Sequence, residues 1–207
     1  MELWRMALAY LYSAFEGDAH KEQNAIPEEL AHLNKNDIKN IFRMIEKQAN
    51  SPKTSSAGRL FDAVSALCGI CPMASYEAEG AILLEKHIAC NVDEFYNYSI
   101  YNDEISVKNM IKSIVCDGSA GIDKGIISAK FHNTIGEIIF DVSKKICDKE
   151  DIKKVLLSGG CFQNKYLTKY LDTKFYDSGM ELVKHKTISC TDAGLSVGQA
   201  VCVQAMK

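Results

Sequence analysis

Residues 153–171 read KKVLLSGGCFQNKYLTKYL, and the fold turns on how they are taken. Val155, Leu156 and Leu157 form a short apolar run bounded by lysines. Gly159 and Gly160 follow. Asn164, Tyr166, Leu167, Tyr170 and Leu171 then recur at helical spacing. The pattern is a buried strand, a tight turn and a helix. Glycines let a backbone approach a ligand closely, and a helix start offers unpaired N–H groups to an anion. On these residues alone the turn is as readily an ordinary strand-to-helix connection as a phosphate or nucleoside cradle, because a Gly-Gly pair is much less specific than a full phosphate-loop pattern.

Working outward, the C-terminal side returns through Phe175, Tyr176 and a turn at 177–179 to a short strand at 180–184. A small polar stretch, 189–192, leads into a helix over 193–205 with Leu195, Val197, Ala200, Val201 and Val203 expected inward. Asp192 stands at that helix's start, where capping alone would explain it. On the N-terminal side, 126–147 is a long helix with Ile127, Phe131, Ile135, Ile138, Ile139, Val142 and Ile146 expected inward, and the charged run 144–154 reads as a solvated turn. His132 on this helix is more often a packing histidine than a metal ligand. Residues 95–107 alternate as strands around a turn at Asn102-Asp103, followed by a short helix at 108–117.

The first half is helical. Residues 3–15 are apolar nearly all round, which demands burial, and Gly17 and Asp18 end the helix. Pro27, in the stretch 25–35, marks a helix start, and 36–49 places Ile38, Ile41, Phe42 and Ile45 on one face. The loop-like SPKTSSAG, 51–58, runs into an apolar helix over 59–68 that carries Asp62. An Asp in such a place is usually solvent-facing; if buried it needs a partner. A further helix spans 76–90, with Ala81, Leu84 and Ile88 inward and a structural His87.

The chain has 207 residues, 47% apolar and 25% charged, with a net charge of −3. It can bury a sizeable core as one domain or two small lobes. No basic patch argues for nucleic acid, no run of about 18 apolar residues argues for a membrane span, and no secretory signal is visible, so a cytoplasmic protein is expected. The 8 cysteines lie scattered in apolar contexts and read as buried thiols. Cys68 and Cys71 form C-x-x-C, but no second pair stands at zinc-site spacing.

Several stretches together resemble the HypF carbamoyltransferase family, which matures [NiFe] hydrogenases. SGGCFQN at 158–164 resembles its SGGVFQN, and WRMALAYL at 4–11 its identical stretch. GRLFDAVSALCG at 58–69 resembles GRLFDAVAALLG, with Tyr76-Glu77 following. KFHNT at 130–134 resembles RFHNT, and DAGLSVGQA at 192–200 resembles DGGLALGQA. The WRMALAYL and FQN motifs favour this family over the threonylcarbamoyl transferases acting on tRNA, which share its fold. Departures at the ligand edge include Cys161 for Val, Thr191 for Asn and Ala193 for Gly.

The alternation of elements gives an α/β protein with one short mixed sheet flanked by helices and a helix-rich first half. The resemblance implies one lobe of an actin-like ATPase (ASKHA) architecture: the C-terminal half of the family's last domain, with 1–92 as a helical portion and 93–207 as an α/β nucleotide-binding lobe. It implies binding of ATP or carbamoyl adenylate and transfer of the carbamoyl group to the C-terminal cysteine thiol of a HypE-like acceptor. Gly159, Gly160 and Asn164 would seat the nucleotide, Gly58, Asp62 and Glu77 would lie on the nucleoside side, and Asp192 would ligate a divalent metal (iron, zinc or magnesium). In the family the metal's other ligands are two histidines four apart, a spacing that does not occur among His20, His32, His87, His132 and His185. They would come with the N-terminal portion of HypF, as would the other wall of the cleft. An open half-cleft also implies self-association. The alternative is a non-catalytic nucleotide- or partner-binding module.

Overall fold

A computed structural model describes residues 1–17 and 26–206, so Asp18, His20 and Ala25 lie outside the described residues. The chain divides into two compact units, Met1–Thr134 and Ile135–Lys207.

In the first unit, α1 (Trp4–Ala14) buries Trp4, Ala7, Leu8, Leu11 and Ala14 along one stripe. Pro27 precedes only a single 3-10 turn, Glu28–Leu30. Helix α2 (Lys35–Glu46) starts where the Asn34 side chain accepts the Asn36 N–H at 2.8 Å, and it buries Ile38, Ile41 and Phe42. Helix α3 (Ala57–Leu67), capped by Ser56, is buried at every position from Leu60 to Leu67 and packs against α1 and α4 (Glu79–Lys86). Helix α4 is shorter than the periodicity suggests, because Ala78 is left-handed at φ +64° and blocks extension toward Tyr76. Strands β1 (Ser99–Tyr101) and β2 (Glu104–Ser106) form an antiparallel hairpin. Its turn residues, Asn102 and Asp103, have φ of +47° and +62°, the geometry that matches strand twist in a two-residue loop. Helices α5 (Lys108–Ser119) and α6 (Lys124–Glu150) follow. The Phe61 and Phe131 rings meet edge to face at 4.9 Å in the core. Gly125 lets α6 begin close to the end of α4, since a Cβ there would stand 2.5 Å from the His87 carbonyl.

In the second unit, α6 continues through 144–150 instead of turning at that charged run. Lys, Asp and Glu are compatible with helix when they face water, and the helix stops at left-handed Asp151, φ +51°. One residue of register separates expectation from structure here: Ile146 is 49% exposed and Cys147 is buried in its place. Strands β3 (Lys154–Leu157) and β4 (Glu181–Lys184) pair in parallel, with Leu157 opposite Lys184. Helix α7 (Lys165–Ser178) joins them, burying Leu167, Leu171 and Phe175 and ending at left-handed Gly179. Among the described residues the strands thus form two separate two-stranded sheets, not one. The hairpin's tight turn pairs its strands with each other, while β3 and β4 pair through the α7 crossover. Nor is β3 buried throughout: Leu157 is covered, but Leu156 is 61% exposed. Helix α8 (Leu195–Ala205) buries none of its residues. Leu195, Val201 and Val203 are 62%, 59% and 60% exposed, so the expectation that they point inward fails: no element among the described residues covers them. No helix among the described residues is long and apolar enough to cross a membrane.

A glycine also sets the packing of α6 on α7. A Cβ on Gly136 would stand 2.4 Å from the Tyr170 ring, whose hydroxyl donates to the Glu137 carboxylate; Lys174 pairs with the same carboxylate at 2.5 Å. Gly136→Ala gains at most about 1 kcal/mol of helix propensity. Overpacking against a tethered ring costs about 1–3 kcal/mol, so a net loss is expected as a lower thermal midpoint by circular dichroism. A raised midpoint would show that Tyr170 swings away freely.

Candidate nucleotide site

The carboxyl ends of parallel strands are where open α/β sheets bind ligands. Here β3 runs out into Ser158-Gly159 and β4 into His185, side by side because Leu157 and Lys184 are register partners. Gly159 has φ +109° and ψ 157°, a region closed to side-chain-bearing residues. A Cβ there would meet nothing within 4 Å, so glycine is needed for the backbone conformation and not for space. The Gly159 N–H donates to the Cys190 carbonyl at 2.8 Å and clasps the turn to the loop before Asp192. Gly160 opens a 3-10 turn, Gly160–Gln163, with its Cβ position equally open. Asn164 is 8% exposed, and its Oδ1 accepts the Leu167 N–H at 2.8 Å. It caps α7, a role that its ligand candidacy passed over.

The loop before α8 is built from short hydroxyl contacts. Ser189 Oγ and Thr191 Oγ1 lie 2.8 Å apart, and Thr191 Oγ1 accepts the Ala193 N–H at 3.4 Å. Gly194 fits only as glycine, for a Cβ would stand 2.3 Å from the Ser189 carbonyl. Thr191, not Asp192, is thus the capping residue, and the Asp192 side chain is left exposed. The structure brings Gly159 and Gly160 to the loop that carries Asp192. It also adds His185, whose Nε2 lies 3.2 Å from Ser158 Oγ. Sequence reading weighed this histidine only as half of an H-x-x-x-H pair. Its signal was its place immediately after the second parallel strand.

Gly58, Asp62 and Glu77 belong to the first unit. Gly58 is the second residue of α3, and Glu77 is exposed. Asp62 is only 5% exposed, so the solvent-facing reading is wrong for it. Arg59 lies 3.2 Å away, one turn earlier, and supplies the charge that burial demands. Burial pushes the Asp62 carboxyl up and Arg59 pulls it partly back. The Ser65 hydroxyl, one turn beyond Asp62, is buried without a hydrogen-bond partner among the described residues.

Of the cysteines expected to be buried, Cys68, Cys71 and Cys147 are, whereas Cys161 and Cys190 are half-buried and Cys90, Cys116 and Cys202 are exposed. Burial pushes the Cys68 thiol up to about 12, and Cys71 is raised by the same cause, which keeps both protonated and unreactive. The His132 Nδ1–H donates to the Ser128 carbonyl at 2.7 Å, and its ring packs edge-on against Phe61 and Phe131. His87 Nδ1 donates to the Leu83 carbonyl at 2.8 Å. Among the described residues, no three His, Cys, Asp or Glu side chains are grouped to hold a metal ion. A single exposed carboxylate does not amount to a divalent site, so the donors present do not fit the implied metal.

The carbamoyltransferase Kae1-like domain, second subdomain, matches residues 1–199. The carbamoyltransferase HypF of Synechocystis is 28% identical over 209 residues, covering 94% of this chain and 26% of that protein. A HypF homolog of Cupriavidus necator is 29% identical over 211 residues, covering 96% of this chain and 52% of the relative. A crystal structure of full-length HypF in the phosphate- and nucleotide-bound form superposes with a TM-score of 0.88 at 32% identity, covering 99% of this chain and 32% of that one. The chain thus spans between about a quarter and a half of the length of these curated relatives. With two helix-rich units, a parallel strand pair ending in the SGG turn and a family match over nearly its full length, the chain belongs to the HypF carbamoyltransferase family, as the second subdomain of its Kae1-like domain.

Proposed function

We propose that this chain supplies the nucleotide-holding half of a carbamoyltransferase acting in [NiFe] hydrogenase maturation. The observation that carries the reading is the Gly159 turn. It lies at the carboxyl ends of two parallel strands, in a glycine-only conformation, clasped by backbone to the Asp192 loop. A full-length relative that superposes on it binds phosphate and nucleotide. The Gly159 amide is used in the clasp. The next amide, that of Gly160, makes no bond among the described residues and is the donor offered to a phosphate of ATP or carbamoyl adenylate. For Asp62 and Glu77, in the helical portion 1–92, the reading keeps the nucleoside-side role that the family resemblance implies.

In the transfer, the acceptor's thiolate attacks the carbamoyl carbon. The new C–S bond forms as the C–O bond to the phosphate of AMP breaks. AMP departs with the electron pair, and the thiol proton has already passed to solvent. The acceptor is the C-terminal cysteine of a HypE-like protein. The rest of the site comes from the portion of the longer relatives that precedes this subdomain, and the uncovered side chains of α8 suit a surface that such a portion, or a second copy, would cover.

Calorimetric titration of ATP into the chain, with and without divalent metal, tests the reading. Gly160→Val is the informative variant, because a Cβ at 160 meets nothing in the unliganded fold, so lost binding reports on the ligand and not on folding. Binding weakened at least about tenfold is expected, since a branched side chain would stand between the amide and the phosphate. No ATP binding at millimolar concentration, or binding indifferent to the substitution, would overturn the reading.

A further inference from the structure

We infer that His185, docked on Ser158, is a phosphate-contacting residue of this nucleotide site. The inference rests on the nucleotide reading above and adds a residue that the motifs SGGCFQN and DAGLSVGQA do not contain.

The placement is set by backbone before any side chain is considered. Register pairing of Leu157 with Lys184 makes Ser158 and His185 the first residues beyond the two strands, on the same edge. The Ser158–His185 contact at 3.2 Å bridges those two exits directly. The Gly159–Cys190 clasp closes the same edge one residue later. Three consecutive connections, at Leu157, Ser158 and Gly159, therefore hold the imidazole beside the glycine turn. The contact occupies Nε2, and Nδ1 has no partner among the described residues. An imidazole fixed through one nitrogen presents the other in a defined direction, as a hydrogen-bond donor to an anionic oxygen in the matching tautomer.

The lysines at the ends of the two strands are engaged elsewhere. Lys184, at the end of β4, is committed to Asp172 at 2.6 Å, and Lys154, at the start of β3, pairs with Glu181 at 3.1 Å on the opposite edge. Of His185 and Lys186, which open the loop beyond β4, it is His185 that is fixed to the exit of the neighbouring strand, through Ser158. A neutral or singly charged imidazole on a phosphate chain adds discrimination between nucleotide and nucleoside and leaves base and ribose recognition untouched.

The test is a ligand series of adenosine, AMP and ATP, titrated calorimetrically into the full chain and into His185→Ala. The substitution is at an exposed position and leaves the Gly159–Cys190 clasp intact. Expected is about a tenfold loss for ATP, the size of one hydrogen bond to a charged group, with adenosine unchanged. An equal loss with AMP places the imidazole at the α-phosphate; a loss with ATP alone places it further along the chain, and both support the inference. Ser158→Ala, which frees the ring, is expected to weaken ATP by a smaller factor. Equal ATP affinity in the parent and His185→Ala overturns the inference while leaving the nucleotide reading in place. Equal losses for adenosine and ATP also overturn it, because they signal a structural role. Failure of the parent chain to bind ATP overturns both.

Discussion

Phe131→Ala is expected to destabilise the first unit by about 3–5 kcal/mol, the range for deleting a fully buried aromatic ring. Phe131 is 0% exposed and sits edge-on to Phe61 at 4.9 Å and to His132 at 5.5 Å. Its removal leaves a cavity bordered by α3, whose residues from Leu60 to Leu67 are all buried, so the surroundings have little freedom to collapse inward. Urea denaturation followed by tryptophan fluorescence reads this unit selectively, because the chain's one tryptophan is Trp4 on α1. Phe61→Ala is expected to cost a similar amount. The double variant is expected to cost less than the sum, since the two rings share one contact. A loss below about 1 kcal/mol for Phe131→Ala would mean that the pair does not organise the core.

The second large effect is acid sensitivity. Burial holds the His132 imidazole down to about 4, against an ordinary 6.5, and the hydrogen bond to Ser128 offsets this only in part. The unfolded chain therefore takes up a proton at this position before the folded chain does. The contribution of His132 is fully present above pH 6.5 and is lost as pH falls from 6.5 toward 4. Across that interval the loss is about 3 kcal/mol, at 1.36 kcal/mol per unit. Asp62 opposes it. Its carboxyl is raised in the fold, so the folded state takes up that proton first and gains stability as acid neutralises it. His132 dominates because it is fully enclosed, whereas Asp62 retains Arg59 as a partner. Stability against urea, measured at pH 7.5, 6 and 5, is expected to fall along this curve, and His132→Gln is expected to flatten it. An unchanged slope in the variant would assign the acid sensitivity elsewhere.

Much of this was legible in the sequence. Period-3.6 patterns located α2 and α6, and continuous apolarity located α1 and α3, because α2 buries one stripe whereas α3 is buried at every position from Leu60 to Leu67. The hairpin announced itself through Asn102-Asp103, two residue types that tolerate left-handed backbone. The SGG turn was legible as a turn, but the reason for its first glycine, φ +109°, was not. The errors share a cause. Whether Asp62 is buried depends on what packs over α3, and whether Leu195 and Val201 are buried depends on what packs over α8. Apolarity records the demand for cover, whereas the cover itself lies elsewhere in the fold or outside this subdomain. His185 was missed for a related reason. Its relation to Ser158 arises only when β4 pairs with β3 across 26 residues of sequence, from Leu157↔Lys184 outward.

The clasp at Gly159 bears on how such a site tolerates genetic change. Its bonds run from main chain to main chain: Gly159 N–H to Cys190 O, Phe162 N–H to Gly159 O, Gly194 N–H to Thr191 O. These three bonds pass through no side chain, although the Thr191 hydroxyl adds a cap on the Ala193 N–H at 3.4 Å; Cys161, Thr191 and Ala193 are departures from the relatives' motifs at this edge. The rim of the site is thus open to substitution while its skeleton is not. Mutation can rewrite what the nucleotide edge displays, one codon at a time, so long as the glycines stay.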